Sequence, residues 1–502
     1  MKRAYDTLSA KLVGIHSHQP IVYMREDCHI CQSEGYRSLV RLKLTHLSHQ
    51  VIAELHVVNN DFLEEGLIGL NKRASDLLHA KDSSEITISQ APPVLSMSEV
   101  RGKIYNQPFT FDGLKALISD IKHGFLTDID IASFISICAG GRLNDEEIIW
   151  LTKAMVESGH QMTWPMDVVV DKHCIGGIPG NRTTPIVVSI VASCGLFMPK
   201  TSSRAITSPA GTADAMESIT EVNISINRMR TVLLEAKACL AWGGSVNLSP
   251  ADDILIRVEK ALNIDSDGQL IASVLSKKIA AGSTHVLIDI PVGDTAKVRN
   301  KEDAQRLSEL MINTGKALGL KVETVITDGT APIGNGIGPT LEMKDVLMVL
   351  ENSFDAPEDL KIKSLNLSAK IIEMSGITEK GLGLKMAVQA LVSGNALKKF
   401  RQICMLQGGI KELGHASYTQ NILSDESGVI THIDNRLIAR LAKLAGAPDA
   451  KTAGLFMQQR PGRKIMKGEV LMTIHTESNG QLKYAMNFYN QNKQMIRVGD
   501  KL

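Results

Sequence analysis

Residues 166–203 read MDVVVDKHCIGGIPGNRTTPIVVSIVASCGLFMPKTSS, and the way this stretch divides decides the fold. MDVVVD is a short apolar run of the kind that forms a strand buried on both faces. CIGGIPGN interrupts it with three glycines and a proline, which marks a turn. RTTPIVVSIVASC is apolar over the length of a helix, and GLFMPKTSS returns to a strand. Strand, glycine-rich turn, helix and strand make a βαβ unit, and ligands of such units gather outside the carboxyl ends of the strands.

Working outward, HVLIDIPV at 285–292 and VETVITD at 322–328 read as further strands around the helix-patterned DAQRLSELMINTGKALG, so the sheet continues in α/β fashion. Between the two α/β stretches, SPADDILIRVEKALNIDSDGQLIASVLSKKIAAGS lacks strand alternation and reads as a helical excursion. Upstream, residues 97–155 have helical apolar spacing, and residues 1–90 alternate short apolar runs such as KLVGI, PIVYM and VIAELHVV with polar breaks, as a small β-containing domain does. From Gly428 onward, VITHID is read as a strand, RLIARLAKLAG as a helix, and KIMKGEVLMTIHTE and KYAMNFY as strands. The expected organisation is an α/β multidomain chain: an N-terminal β-containing domain (1–95), a helical domain (96–160 with 250–281), an α/β domain (161–249 with 282–420) and a C-terminal α+β domain (421–502).

A chain of 502 residues, 44% hydrophobic and 22% charged, builds more than one sizeable core and leaves little room for long disorder. Its formal net charge is +1 and its basic residues form no long run, so nucleic acid is not an expected partner. The start, MKRAYDTLSAKLVGIHSHQ, has no continuous apolar core of signal-peptide length, the longest apolar run, near PIVVSIVASCGLFMP, is too short to span a bilayer, and the seven scattered cysteines suit a reducing compartment. The expectation is a cytoplasmic protein with small-molecule partners.

Three elements carry candidate chemistry. The turn DKHCIGGIPGNRTT places Lys172 and His173 beside glycines at a helix start, where backbone N–H groups attract anions; it is either a phosphate loop or a plain tight turn. It is neither a Walker loop nor a GxGxxG fingerprint. The next strand ends in the hydroxyl-rich TSSRAITSPAGTAD at 201–214, which either holds phosphate and sugar oxygens or supplies a helix N-cap from Thr212 or Ser208. In NIDSDGQLIASVLSKK, Gln269, Ser273 and Lys277 fall at i, i+4 and i+8 of a helix, a polar stripe for water or for a ligand. Asp265 precedes that helix, either as a cap or as a proton donor.

In chain order, DKHCIGGIPGN, SSRAITSPAGTADAME, WGGSVNLSPADD, DGQLIASVLSKK and HVLIDIPVGDTAK resemble the motifs of the thymidine phosphorylase family, in particular its longer branch, which includes AMP phosphorylases. The resemblance runs from about residue 95 to the end, and the N-terminal extension matches the longer branch. It implies a helical domain facing a larger α/β phosphate-binding domain across a cleft. The reaction it implies is phosphorolysis of a nucleoside, with inorganic phosphate as co-substrate and neither metal nor cofactor, in a homodimer or larger homo-oligomer. It assigns phosphate binding to Lys172, Gly176, Gly177, Ser202 and Thr212. It assigns substrate binding to Ser203, Arg204, Ala205, Ile206, Thr207 and Ser208, and to Ser273, Lys277 and Lys297. Asp265 aligns with a proton donor, and His173, beside Lys172, is placed in the cleft as the second catalytic candidate. Cys174 stands where thymidine enzymes carry a serine, and the 203–208 wording is closer to the AMP branch.

The substrate is therefore expected to be thymidine or, as the alternative, a nucleoside 5′-monophosphate such as AMP. A non-catalytic nucleotide-binding protein and a magnesium-dependent phosphoribosyltransferase are the competing classes. CHIC at 28–31 with His46 and His49 approximates a zinc set, but its histidine spacing is short and ordinary thiols are expected.

Overall fold

The structure, a computed structural model, describes residues 6–499 except Asn60, Ile206, Thr207, Asn247 and Asp265. Three of the candidate site residues, Ile206, Thr207 and Asp265, therefore lie outside the described residues. The chain divides into two compact units, Met1–Arg101 with Asp120–Asp130 and Gly102–Ser119 with Ile131–Leu502.

The first unit is built on a closed six-stranded barrel of β1 (Thr7–Leu12), β2 (Ile21–Arg25), β3 (Arg41–His46), β4 (His49–Val58), β5 (Leu67–Leu70) and β6 (Glu85–Gln90), in the order β1-β5-β2-β4-β3-β6. Alternation explains its core: Leu42, Leu44, Ile86 and Ile88 point inward between polar neighbours, and closure leaves no unpaired edge. Two short helices, α1 (His29–Glu34) and α2 (Lys72–Leu78), pack on it. Cys28 and Cys31 sit at the start of α1, whereas His46 ends β3 and His49 opens β4. Among the described residues no three His, Cys, Asp or Glu side chains converge on a metal position.

Helices α3 (Met97–Ile104), α4 (Phe111–Lys122), α5 (Asp128–Cys138) and α6 (Asp145–Ser158) follow. The start of α6 is fixed by a reciprocal cap between Asn144 and Glu147. Glu147 is fully buried, and it also accepts from Lys103 Nζ at 2.6 Å and Phe109 N at 2.8 Å.

The α/β part runs β7 (Val170–Cys174), α7 (Thr183–Ser193), β8 (Met198–Ser202), α8 (Thr212–Glu217), α9 (Ile226–Ala236), β9 (Ala238–Trp242), then the helices α10 (Pro250–Leu262) and α11 (Asp267–Ala280), which pack on α6. The sheet resumes with β10 (His285–Val292), α12 (Lys301–Ala317) and β11 (Lys321–Asp328), followed by β12 (Gly336–Ile337) and the covering helices α13 (Pro339–Leu350), α14 (Glu358–Met374), α15 (Gly383–Val392) and α16 (Asn395–Gln407). Strands β11-β10-β7 and β8-β9 are parallel, and one bridge, Val169 to Phe197, joins the two sets. The connection after β7 leads one way across the sheet and that after β10 the other. The topological switch point therefore lies between β7 and β10, where an open α/β sheet binds its ligand. The first strand is displaced from MDVVVD: it begins at Val170 and runs through Cys174, because its register with β10 pairs Val170 with His285 and Cys174 with Asp289. Lys172 and His173 are thus strand residues. Helix α7 is buried from Thr183 to Ala192, with Ile186, Val187, Val188, Ile190 and Val191 at its centre, because helices cover it opposite the sheet.

The C-terminal part contains β13 (Tyr418–Leu423), β14 (Gly428–Ile433), α17 (Asn435–Leu444), β15 (Gly454–Met457), β16 (Lys464–Ile465), β17 (Val470–Thr476), α18 (Asn479–Gln491) and β18 (Ile496–Gly499). KYAMNFY, expected as a strand, lies in α18. Ser478 and Gln481 form a reciprocal cap there, and Leu482, Ala485, Met486 and Tyr489 recur at helical spacing on the packed side. No helix among the described residues is long and apolar enough to cross a membrane.

One buried cluster ties the helical excursion to the sheet. Asp171 on β7 receives Lys278 Nζ of α11 at 2.7 Å and has Lys200 Nζ of β8 at 3.3 Å, all three side chains being buried. Burial pushes the Asp171 carboxyl up, but the two ammonium groups outweigh it and hold it below its usual value. Burial also drives Lys200 down to about 7. Removing one partner of a buried ion pair leaves the other uncompensated. Lys278→Met should therefore cost about 3–5 kcal/mol in chemical denaturation; a cost under about 1 kcal/mol, the level of an exposed pair, would show that the cluster does not hold α11 to the sheet.

Candidate active site

Strand alternation sends successive residues of β7 to opposite faces. Asp171 and His173 feel Lys278 and Lys200, whereas Lys172 and Cys174 feel Asp289 and Lys363. Lys172 is 1% exposed; its Nζ lies 2.7 Å from Thr183 Oγ1 and 3.5 Å from Thr184 Oγ1. Among the described residues no carboxylate is paired with it. Burial lowers its pKa, with Cys174 and Asp289 opposing. This is an ammonium solvated by hydroxyls and short of an anion.

The glycine-rich turn supplies what the ammonium lacks. Gly177, at φ 89, stands where a Cβ would lie 2.8 Å from Lys297 N, and Gly180, at φ 71, where a Cβ would run into the Ile333 carbonyl. Both positions demand glycine on conformation and on space. Gly176, at φ 92, continues the same left-handed turn. Ile175 N is held by Asp289 O at 2.9 Å, so the loop is pinned at its entry. Its exit is the N-terminus of α7, which has no side-chain cap and whose first N–H groups have no partner within the helix. Cys174 is kept a neutral thiol by burial and receives Asn181 Nδ2 at 3.4 Å. His173 is half-buried; desolvation first, then Lys278, Lys200, Lys277 and Lys172, hold its pKa well below the usual value. These causes all favour the neutral imidazole.

The hydroxyl-rich loop leaves β8 beside this turn. Ser202 Oγ is buried and without a partner among the described residues. Ser203 is exposed and gives its carbonyl to Ala213 N. Arg204 is committed elsewhere: its guanidinium meets Glu217 at 2.7 and 2.8 Å and Asp214 at 3.2 Å, and stacks on Trp242 with its centre 4.9 Å from the ring. The Arg204 bond, against burial and with help from Lys451, holds Glu217 down at about 2. Asp214 accepts from Ala205 N and Gly211 N, which bends the loop, while Ser208 Oγ donates to Ala210 O. Neither Ser208 nor Thr212 caps α8, since Gly211 holds the N-cap position.

Thr212 instead meets Arg182, which sequence reasoning missed. From 8% exposure Arg182 sends Nη1 to Thr212 Oγ1 at 2.7 Å, Nη2 to Ala210 O at 2.8 Å and Nε to Glu342 at 2.6 Å. The guanidinium joins the glycine-rich turn to the hydroxyl-rich loop. Because Thr212 Oγ1 accepts from Arg182, its hydrogen is free to donate to an anion. Burial raises the Glu342 carboxyl to about 7, opposed by Arg182. Thr183 and Thr184 were also missed; their only sequence signal is their place directly after the turn.

On the α11 side, Ser273 and Lys277 are half-buried along one helix face. Lys277 is ion-paired with the buried Asp252 of α10, and this outweighs burial and raises its pKa. Lys277 is close enough to His173 to depress the imidazole, so this helix face approaches the His173 side of β7. The N-cap position of α11 is Ser266, whose hydroxyl donates to Cys138 O at 3.0 Å. Lys297 lies against Gly177 in the loop after β10, and that loop is braced from the C-terminal part by Asn435 and Arg436, which donate to Thr295 and Ala296. The structure therefore brings Lys172, Gly176, Gly177, Ser202, Thr212 and Lys297 to one end of the sheet, with His173 facing α11. An oxyanion would find there an ammonium, several hydroxyls and helix N–H groups.

Three family profiles match the chain: the glycosyl transferase family helical bundle domain over residues 100–159, the glycosyl transferase family a/b domain over 166–397, and the pyrimidine nucleoside phosphorylase C-terminal domain over 429–495. The chain is 48% identical to the "Putative thymidine phosphorylase" of Legionella pneumophila (strain Corby), over 99% of this chain and 97% of that protein. It is 47% identical to the protein of the same name in Hahella chejuensis (strain KCTC 2396), over 100% and 99%. The anthranilate phosphoribosyltransferase (TrpD) of Thermus thermophilus matches with a TM-score of 0.52 at 16% identity, over 62% of this chain and 99% of its own; that likeness shows the fold alone.

Lysine at position 182 keeps the charge but loses the three-way fork. Arg182→Lys should weaken binding of inorganic phosphate by about tenfold or more, equivalent to about 1.4 kcal/mol, in calorimetric titration. Unchanged affinity would show that the clamp between the loops does not position Thr212.

Proposed function

The chain belongs to the thymidine phosphorylase family, and on that premise we propose that it splits thymidine with inorganic phosphate into thymine and 2-deoxyribose 1-phosphate. Its reaction class is pentosyl transfer by phosphorolysis. The observation that carries the phosphate role is Lys172, a buried ammonium bonded to hydroxyls and paired with no carboxylate among the described residues. A bound phosphate completes that environment.

A phosphate oxygen attacks C1′, the bond from C1′ to the base nitrogen breaks, and its electrons leave with the base. Positive charge grows on the sugar as the bond lengthens, so an anion held beneath C1′ lowers the barrier. Lys172, Ser202, Thr212 and the N–H groups of the Gly176–Gly177 turn hold that anion. Arg204 shapes the 203–208 loop through Glu217 and Asp214, and leaves sugar contacts to Ser203, Ala205 and Ser208. Neutral His173 donates a hydrogen bond without adding charge. Ser273 and Lys277 hold the base, with Asp252 fixing the lysine, and Asp265 delivers the proton that the base requires. A carboxyl does this at neutral pH when the closed site keeps water from it. No metal or cofactor enters the scheme.

A second reading, cleavage of a nucleoside 5′-monophosphate such as AMP to free base and ribose 1,5-bisphosphate, is favoured by Lys297. Its backbone N and Cβ lie against Gly177, at the turn that follows Lys172.

Thymidine, uridine, cytidine and AMP, each with and without phosphate, separate these cases by release of free base. Phosphate-dependent release fastest from thymidine is expected; fastest release from AMP selects the second reading, and phosphate-independent release contradicts phosphorolysis. Lys172→Ala should raise the KM for phosphate about a hundredfold or more, the scale of about 3 kcal/mol for a charge-assisted contact. The protonated form binds and burial lowers the pKa, so phosphate affinity should fall with rising pH well before an exposed lysine titrates. A pH-independent KM for phosphate across the alkaline range would remove Lys172 from that role.

A further inference from the structure

Helix α11 carries a third polar side chain on the stripe of Ser273 and Lys277, and the scheme above gives it no work. Gln269 lies one turn before Ser273, so the three recur at i, i+4 and i+8. It is 4% exposed, and both its Oε1 and its Nε2 lack a hydrogen-bond partner among the described residues. Burying an amide with neither end satisfied is unfavourable, and native proteins satisfy nearly all such groups. The exceptions call for a ligand or another specific cause.

Its neighbours narrow the ligand. Lys277 is held by Asp252, so that pair is close to neutral overall and adds no net charge to the stripe. Ser273 contributes a hydroxyl. Beside them, a carboxamide offers one acceptor and one donor group side by side, which matches a planar edge carrying N–H next to C=O. We propose that Gln269 is a specificity-determining residue that reads the imide edge of a pyrimidine base, with Oε1 accepting from the ring N–H and Nε2 donating to the adjacent carbonyl. This rests on the phosphorolysis assignment and names the part of the substrate that this helix face recognises. Loss of one such contact leaves the site's own polar group unpaired, which is why hydrogen-bonded sites discriminate more sharply than apolar ones.

The test uses Gln269→Leu and Gln269→Met, which replace the amide by apolar groups of similar size. Nucleoside binding to the free enzyme is measured by calorimetry, turnover by base release, and stability by Tm. Both variants should melt at or above the wild-type temperature, because an unsatisfied buried amide has been removed. Nucleoside affinity and kcat/KM for thymidine should fall about 10- to 100-fold, with the KM for phosphate within about twofold of wild type. Wild type should prefer thymidine over N3-methylthymidine at least tenfold, and the variants should lose most of that preference. A lowered Tm in both variants would assign the amide a structural role and overturn the proposal, as would unchanged thymidine affinity. Wild-type nucleoside binding without phosphate-dependent turnover would contradict the phosphorolysis assignment alone, since the binding comparison still decides Gln269.

Discussion

An ammonium group buried among hydroxyls, and ion-paired with no carboxylate among the described residues, is the constraint on which the other features of this site depend. Lys172 can be held there only because its neighbours on β7 divide the charges by strand alternation. Asp171 turns to the opposite face and takes two lysines, Lys278 and Lys200, while Lys172 is ion-paired with no carboxylate among the described residues. The same cluster that stabilises Asp171 binds α11 to the sheet and surrounds His173 with cations. One strand of five residues thus carries a buried ammonium on one face and an imidazole on the other.

Around that lysine the chain builds rigidity from distant parts. Arg182 ties the turn after β7 to the loop after β8, and Glu342 from α13 holds the guanidinium in place. The loop after β10 is pressed against Gly177 and braced by Asn435 and Arg436, while Lys451 reaches Glu217 beneath the Arg204 loop. The C-terminal part therefore braces the loops around the turn after β7. Electrostatic stabilisation is effective when donors are fixed before the charge develops, and these braces provide that fixity.

Much of this was legible in the sequence because it is local. The βαβ unit, the glycine-rich turn, the hydroxyl-rich loop and the stripe on α11 each lie within a single motif. What escaped was long-range. Arg182 meets Glu342 across 160 positions, and no pattern near either residue announces the other. Arg204 looks like a substrate ligand in the motif, yet Glu217, thirteen positions on, takes its guanidinium. MDVVVD was displaced toward Cys174 because strand ends are set by pairing with β10, not by the apolar run itself. KYAMNFY contains the aromatic residues of a strand, but the reciprocal cap at Ser478 and Gln481 starts a helix and its packing keeps one. Barrel closure in the first unit likewise depends on pairings such as Leu42 with Gln90, which no local window contains.

Proton linkage tests the uncompensated ammonium most directly. Inorganic phosphate should be titrated into the protein calorimetrically at alkaline pH, in buffers of different ionisation enthalpy, and the protons exchanged on binding read from the slope. Phosphate should draw a proton onto Lys172, because burial lowers the pKa of the free ammonium and a bound anion raises it again. Net proton uptake by the wild type that is absent from Lys172→Met is the predicted result. Tight phosphate binding with no proton uptake, or with the same uptake in the variant, would contradict the account.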